Sequence, residues 1–127
     1  MTHRLSVRVY YEDTDLAGIV YYANYLKFIE RGRSEWLRAL GIDQVALKEA
    51  GQVFAVRRIE ADYLRPARFD DQLEVVTALD HAAGSRVVLS QAVERDGADT
   101  LILAGAPLAD DALYQFRFSL PANDGGE

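Results

Sequence analysis

The sequence predicts an α+β fold in which an antiparallel sheet of about five strands wraps around one long central helix. Three observations lead there. Residues 4–11 alternate strictly, with Leu5, Val7, Val9 and Tyr11 on one face and Arg4, Ser6, Arg8 and Tyr10 on the other, the pattern of a half-buried strand. From about Asn24 to Leu40 the period turns helical and runs without interruption. Tyr25, Phe28, Ile29, Gly32, Trp36 and Leu40 share one side, and Lys27, Arg31, Ser34, Glu35 and Arg38 share the other. After residue 52 alternating runs return, separated by Ala83-Gly84 and Asp96-Gly97, as in an antiparallel meander. One helix cannot cover both faces of a flat sheet. The simplest arrangement is a curved sheet around the helix, its remaining face or edge covered by a second subunit.

In chain order, the first strand runs into an acidic loop, Glu12 to Gly18. Ile19 to Tyr22 is short, apolar and aromatic, which suits the lining of a site. Asn24 is placed to cap the long helix. Gly32 costs about 1 kcal/mol relative to alanine in mid-helix, so its expected reason is close contact with the sheet. Gly41 follows the last periodic residue as a helix-terminating glycine does. Residues 43–51 read as a short second helix or a turn, closing at Gly51. Val53 to Leu64 reads as a strand with a β-bulge at Arg57-Arg58, ended by Arg65-Pro66. Leu73 to Leu79 and Val87 to Val93 alternate again. A fifth strand is expected from about Thr100 to Leu108, and Tyr114 to Leu120 forms a further short strand or an arm. Residues 121–127 read as a disordered tail. With neither repeat nor linker, residues 1–127 read as a single domain.

Half of the 127 residues are hydrophobic and 27% are charged, an ordinary balance for a globular protein. There is no cysteine, which excludes disulfides, thiolate metal sites and a cysteine nucleophile. The net charge of −6 argues against general nucleic-acid binding, though not against a local basic patch for one phosphorylated ligand. The N-terminus enters a strand pattern at once, and no apolar run is long enough for a membrane span. The expectation is therefore a cytoplasmic protein with no stable membrane insertion.

The chemistry points to the acidic loop. Glu12, Asp13 and Asp15 place three carboxylates in four positions just ahead of a helix. Asp13 suits a turn-forming role on its own loop backbone. Asp15 is the chemical candidate, because Gly18 lets the chain turn sharply and only Leu16 to Tyr22 separates it from the helix start. A carboxylate there can attack a carbonyl or direct water to it, while the free N–H groups of the helix hold the developing oxyanion. The spacing of Asp13, Asp15 and Gly18 also opens a calcium loop. However, Ala17 and Asn24 stand where that loop needs ligands, and no helix precedes Asp13, so no metal is expected. His3 and His81 are the only histidines, and neither lies in the loop or the helix. No G-x-S-x-G, H-x-x-x-H, phosphate loop or dinucleotide fingerprint occurs. The expectation is carboxylate chemistry with no metal and no cofactor. Tyr21, Tyr22 and Tyr25 are placed to frame an acyl group, with Val20 in the same lining stretch. Arg57, Arg58, Arg65, Arg68 and Arg86 are candidates for phosphates.

The stretch Y-E-D-T-D-L-A-G-I-V-Y-Y-A-N-Y-L, followed by F-I-E-R-G-R-S-E-W-L-R-A-L-G-I and later D-Y-L-R-P-A-R-F-D-D-Q-L-E-V, resembles the hotdog-fold acyl-CoA thioesterases. The nearest likenesses are the Tol–Pal-associated YbgC group and the 4-hydroxybenzoyl-CoA thioesterases. The resemblance spans residues 5–95 and implies a hotdog fold in dimers that pair into tetramers. It makes Asp15 the catalytic carboxylate, as nucleophile or as general base. It assigns the backbone N–H of Tyr22 to the thioester carbonyl, and Gly18 to close approach of the loop to substrate. It sets Arg86 near the nucleotide phosphates, in sites shared across the dimer interface. Many YbgC-group members carry histidine where this chain has Tyr22. If that histidine assists the base, Asp15 acts here without it. The region after Leu101 departs from the family's usual last strand.

The function so implied is hydrolysis of a short-chain or aromatic acyl-CoA to free acid and CoA. The alternative is a non-catalytic acyl-CoA-binding or envelope-complex accessory protein of the same fold. A thioester suits so sparse a site: its carbonyl is weakly resonance-stabilised and thiolate leaves without strong acid help, so one carboxylate and one oxyanion donor suffice.

Overall fold

The computed structural model describes residues 2–51, 55–83, 86–95, 99–100 and 115–119; for residues 55–60, 81–83, 86–87, 99–100 and 115–119 it describes the backbone alone. In chain order the elements are β1 (Thr2–Arg8), a 3-10 turn (Tyr11–Asp13), α1 (Asn24–Ala39), α2 (Gln44–Glu49), β2 (Ala55–Glu60), β3 (Gln72–Ala83), β4 (Arg86–Arg95), β5 (Asp99–Thr100) and β6 (Gln115–Ser119). The sheet is antiparallel in the order β1-β3-β4-β6-β2, with β5 pairing β4. The hotdog architecture expected from the sequence is the one observed.

The core lies between α1 and the sheet. Val7 of β1, Leu73 and Val75 of β3 and Leu89 and Val93 of β4 meet Tyr25, Phe28, Ile29, Trp36 and Leu37 of α1. Leu40, expected on the buried face, is the C-cap and is exposed. The helix ends there because Gly41 takes φ +81°. Its N–H reaches Arg38 O at 3.0 Å and the Ile42 N–H reaches Leu37 O at 3.0 Å, a Schellman closure. Gly32 does sit where the helix meets the sheet. A Cβ there would stand 2.5 Å from Val75 Cγ1 and 3.2 Å from both Thr77 Oγ1 and Gln91 Nε2. The buried Gln91 amide donates to Thr77 Oγ1 (2.8 Å) and to the Ile29 carbonyl (3.0 Å), joining β3, β4 and α1 through one polar side chain. Of the helix or turn expected at 43–51, the structure shows a short helix, α2. Asp43 caps it, accepting from the N–H groups of Val45 and Ala46, and Gly51 closes it at φ +89°.

The strands differ from the sequence reading at several points. β1 stops at Arg8, because the chain turns into the 3-10 helix; Tyr11 therefore leaves the strand's buried face and is 82% exposed. β2 shows the bulge between Val56 and Arg58 but ends at Glu60 rather than at Arg65-Pro66. Residues 61–71 then cross back to start β3, so β2 and β3 are not sheet neighbours and the meander holds only for β3 and β4. β6 lies between β4 and β2, which makes Gln115–Ser119 a strand inside the sheet. Of the strand expected at Thr100 to Leu108, only Asp99–Thr100 is described. The remainder, and the tail at 121–127, lie outside the described residues.

Candidate active site

The acidic loop is built by its own backbone and by two neighbours. Asp13 has the structural role expected of it: its Oδ2 accepts the Tyr10 N–H at 2.8 Å. Its carbonyl accepts the Tyr21 N–H at 3.0 Å and the Asn24 side-chain amide at 2.9 Å. Asn24 is thus the first helical residue and a donor, not the capping acceptor expected; the N-cap position is Ala23, whose side chain has nothing to offer. Two residues beyond Asp13 the chain makes a tight turn. The Asp15 N–H meets Ile19 O at 2.8 Å, and the Gly18 N–H, at φ +83°, meets Asp15 O at 2.9 Å. That positive φ is the reason for glycine at position 18.

The Asp15 side chain is oriented within this turn. Its Oδ1 accepts the N–H groups of Ala17 (2.9 Å) and Ile19 (3.4 Å). Its Oδ2 has no hydrogen-bond partner among the described residues. The connection at 61–71 braces the loop from beneath. Ala67 O accepts the Val20 N–H at 2.8 Å, Ile19 bridges Arg68, and the Tyr25 hydroxyl accepts the Ala67 N–H at 3.0 Å.

The first turn of α1 closes through the bonds Asn24 N–H to Tyr21 O (2.8 Å), Tyr25 N–H to Tyr22 O (3.4 Å) and Leu26 N–H to Ala23 O (3.2 Å). The N–H groups of Tyr22 and Ala23 are left without a partner among the described residues. The negative charge of Asp15 is felt by two nearby phenols. Tyr21 is held above the usual tyrosine pKa, first by its hydrogen bond to Tyr22 and by that group's charge, then by burial and by Asp15. Tyr25 is pushed up to about 12, mainly by burial, with the Ala67 N–H opposing and Tyr63, Asp71 and Asp15 adding to the rise.

A groove of about 630 Å³ opens beside Asp15, lined also by Tyr11, Glu12, Thr14, Leu16, Gly18 and Phe69. Asp15 and Gly18 thus share this groove, while Tyr22, at the helix start, is not among its lining residues. Tyr21 and Tyr22 are half-exposed, with ring centroids 4.9 Å apart. Val20 and Tyr25, expected along the substrate, belong to the core of this chain (3% and 1% exposed), because Val20 packs inward under the loop and Tyr25 spends its hydroxyl on Ala67. Arg86 opens β4 opposite Ala83 and Ser119, and its side chain lies outside what is described. Sequence reasoning did not single out Tyr63, Leu16 or Phe69. Their signal, an apolar side chain in a polar loop, takes its meaning only from what folds against it. Among the described residues no three His, Asp or Glu side chains gather as a metal site, and no helix is long and apolar enough to cross a membrane.

Residues 17–102 match the family model described as the thioesterase superfamily. The chain is similar to the acyl-CoA thioesterase YbgC of Haemophilus influenzae, 44% identical over 101 residues, covering 79% of this chain and 72% of that one. It is similar to the acyl-CoA thioester hydrolase YbgC of Shigella flexneri, 44% identical over 90 residues, covering 71% and 67%. A crystal structure of a probable thioesterase from Bartonella henselae superposes with a TM-score of 0.83 at 32% identity, covering 100% of this chain and 96% of that one. A 4-hydroxybenzoyl CoA thioesterase crystallised with 4-hydroxybenzoyl CoA shares the fold, with a TM-score of 0.78 at 21% identity, covering 99% of this chain and 88% of that one.

Proposed function

Because the chain belongs to the thioesterase superfamily, we propose that it hydrolyses a short-chain or aromatic acyl-CoA to the free acid and CoA, with Asp15 as nucleophile or general base and the Tyr22 N–H as oxyanion donor. One observation carries this reading. Asp15 is oriented through Oδ1 by two loop N–H groups, and among the described residues neither its Oδ2 nor the N–H groups of Tyr22 and Ala23 at the adjoining helix start has a hydrogen-bond partner. The two halves of a minimal acyl-transfer site stand on one continuous stretch of 9 residues, 15–23.

As general base, Asp15 takes a proton from water while the water oxygen bonds to the thioester carbon. The C–S bond then breaks, and the departing thiolate recovers that proton. As nucleophile, the carboxylate displaces the thiolate directly, and water opens the resulting anhydride. In both routes the carbonyl oxygen gains charge against the helix start, where a single donor is worth roughly 2.7–4 kcal/mol of barrier. Gly18 brings the loop backbone close to the substrate and Tyr21 flanks the acyl group. Val20 and Tyr25 support the floor from the core, and Arg86 meets a nucleotide phosphate.

The reading extends to the whole chain as one cytoplasmic domain over residues 1–127, forming homodimers that pair into homotetramers. The apolar belt around the groove supports the association alone: Tyr11 is 82% exposed, Phe69 58%, and Leu16 has no cover at all. The test is thiol release from short, long and aromatic acyl-CoAs. Asp15→Asn is expected to lower turnover by about 10²–10⁴-fold with fold and assembly unchanged. Wild-type turnover in that variant removes Asp15 from the mechanism. Calorimetric binding of acyl-CoA without hydrolysis by the unaltered protein favours the non-catalytic alternative.

A further inference from the structure

We infer that Tyr63 is a positioning residue for the reaction: its hydroxyl, reaching in from the connection between β2 and β3, holds the Tyr22–Ala23 peptide, whose N–H is one of the two at the α1 start that have no partner among the described residues. The inference rests on the reading that those N–H groups receive the oxyanion.

The first turn of α1 is unevenly fastened. Its three closing bonds measure 2.8 Å at Tyr21 O, 3.4 Å at Tyr22 O and 3.2 Å at Ala23 O. An amide bond of 3.4 Å restrains little, so the helix itself holds the Tyr22 carbonyl least well of the three. The Tyr63 hydroxyl donates to that same carbonyl at 3.1 Å, closer than the helical donor. Its ring is braced edge-on by Tyr22 (centroids 6.0 Å apart) and by the core residue Tyr25 (5.8 Å). Tyr25 is in turn fixed through its own hydroxyl to the Ala67 N–H. The loosest point of the turn is therefore pinned by a side chain 41 residues away in sequence, through a chain of contacts that ends in the core.

Two consequences follow from peptide geometry. The Tyr22 carbonyl and the Ala23 N–H belong to one planar unit, so fixing the oxygen fixes the direction of the N–H. A carbonyl that accepts a second hydrogen bond also polarises its peptide, which makes the Ala23 N–H a stronger donor. Pinning that peptide narrows the rotation at the Tyr22 Cα and steadies the Tyr22 N–H on its other side. Burial, with Tyr22 adding to it, raises the Tyr63 pKa, so the phenol stays protonated as a donor throughout the neutral range. A preorganised donor acts on the charge that develops in the transition state and little on the ground-state carbonyl.

The test is Tyr63→Phe, which removes one hydroxyl and keeps the ring. kcat, normalised to folded protein, and KM are measured with an acyl-CoA that the unaltered protein hydrolyses. The 15N resonance of the Ala23 amide reports the bond to the preceding carbonyl. Expected are a kcat lowered roughly three- to tenfold, an unchanged KM and a displaced Ala23 resonance. An unchanged kcat, a change in KM alone, or a lowered kcat with an unmoved Ala23 resonance overturns the assignment. Asp15→Asn in the same assay separates the two readings. If it stays active, the site reading fails. If it is dead while Tyr63→Phe is fully active, only the role of Tyr63 fails.

Discussion

A methyl group at position 32 would stand 2.5 Å from Val75 Cγ1, well inside van der Waals contact. Alanine is about 1 kcal/mol better than glycine in a helix interior, so on propensity alone Gly32→Ala stabilises. Overpacking a closed core costs about 1–3 kcal/mol, and Val75 is a β-branched side chain with no exposed surface into which to retreat. Overpacking wins, because α1 must move off β3 or Val75 must leave its rotamer. The expected outcome is a lower urea midpoint for Gly32→Ala. The double variant with Val75→Ala should lose less than the sum of the singles, since the two side chains compete for one space. Insensitivity of the midpoint to Gly32→Ala would show that the helix shifts freely on the sheet.

At the scale of elements, α1 and the connection at 61–71 are joined by Tyr25, whose hydroxyl takes the Ala67 N–H in the core. Burial holds the Tyr25 proton to about pH 12, against the ordinary value of 10.0. The raised pKa means that the folded state prefers the neutral phenol. Its contribution to stability is complete below pH 10 and is lost as the pH rises toward 12. Urea midpoints measured on both sides of that window in the unaltered protein and in Tyr25→Phe check this. The variant is expected to be less stable at neutral pH by about 1–3 kcal/mol, because the buried Ala67 N–H loses its partner. It should then fall less steeply on the alkaline side. Parallel alkaline losses in the two proteins would place the titration elsewhere.

For the whole molecule, the proposed assembly rests on the apolar side chains around the groove. Leu16, adjoining Asp15, stands fully in solvent in the single chain. Burying such a side chain is worth roughly 1.5–3 kcal/mol, and a twofold interface counts it twice. Leu16→Glu is therefore expected to weaken association and to lower thiol release together, with the circular dichroism of the folded chain unchanged. Sedimentation velocity read beside the activity assay checks it. A variant that stays assembled and active would put the interface elsewhere.

Asp15, Gly18 and the start of α1 were legible in the sequence because they lie on one uninterrupted stretch whose geometry is set by near neighbours: a turn that needs a positive φ, then a helix that exposes its first N–H groups. The glycine end of α1 at Gly41 and the bulge before Arg58 were legible for the same reason. Periodicity alone placed α1 and the faces of β3 and β4. Tertiary structure decided what depends on distant partners. The order of the strands, with β6 set between β4 and β2, has no local signal. Nor does the retreat of Val20 into the core, which the packing of residues 61–71 beneath the loop brings about, whereas helical periodicity had already set Tyr25 on the buried side of α1. The bonds from Tyr63 to the Tyr22 carbonyl and from Gln91 to Ile29 join residues 41 and 62 positions apart, and a sequence carries no distance across such a gap until the sheet has closed on the helix.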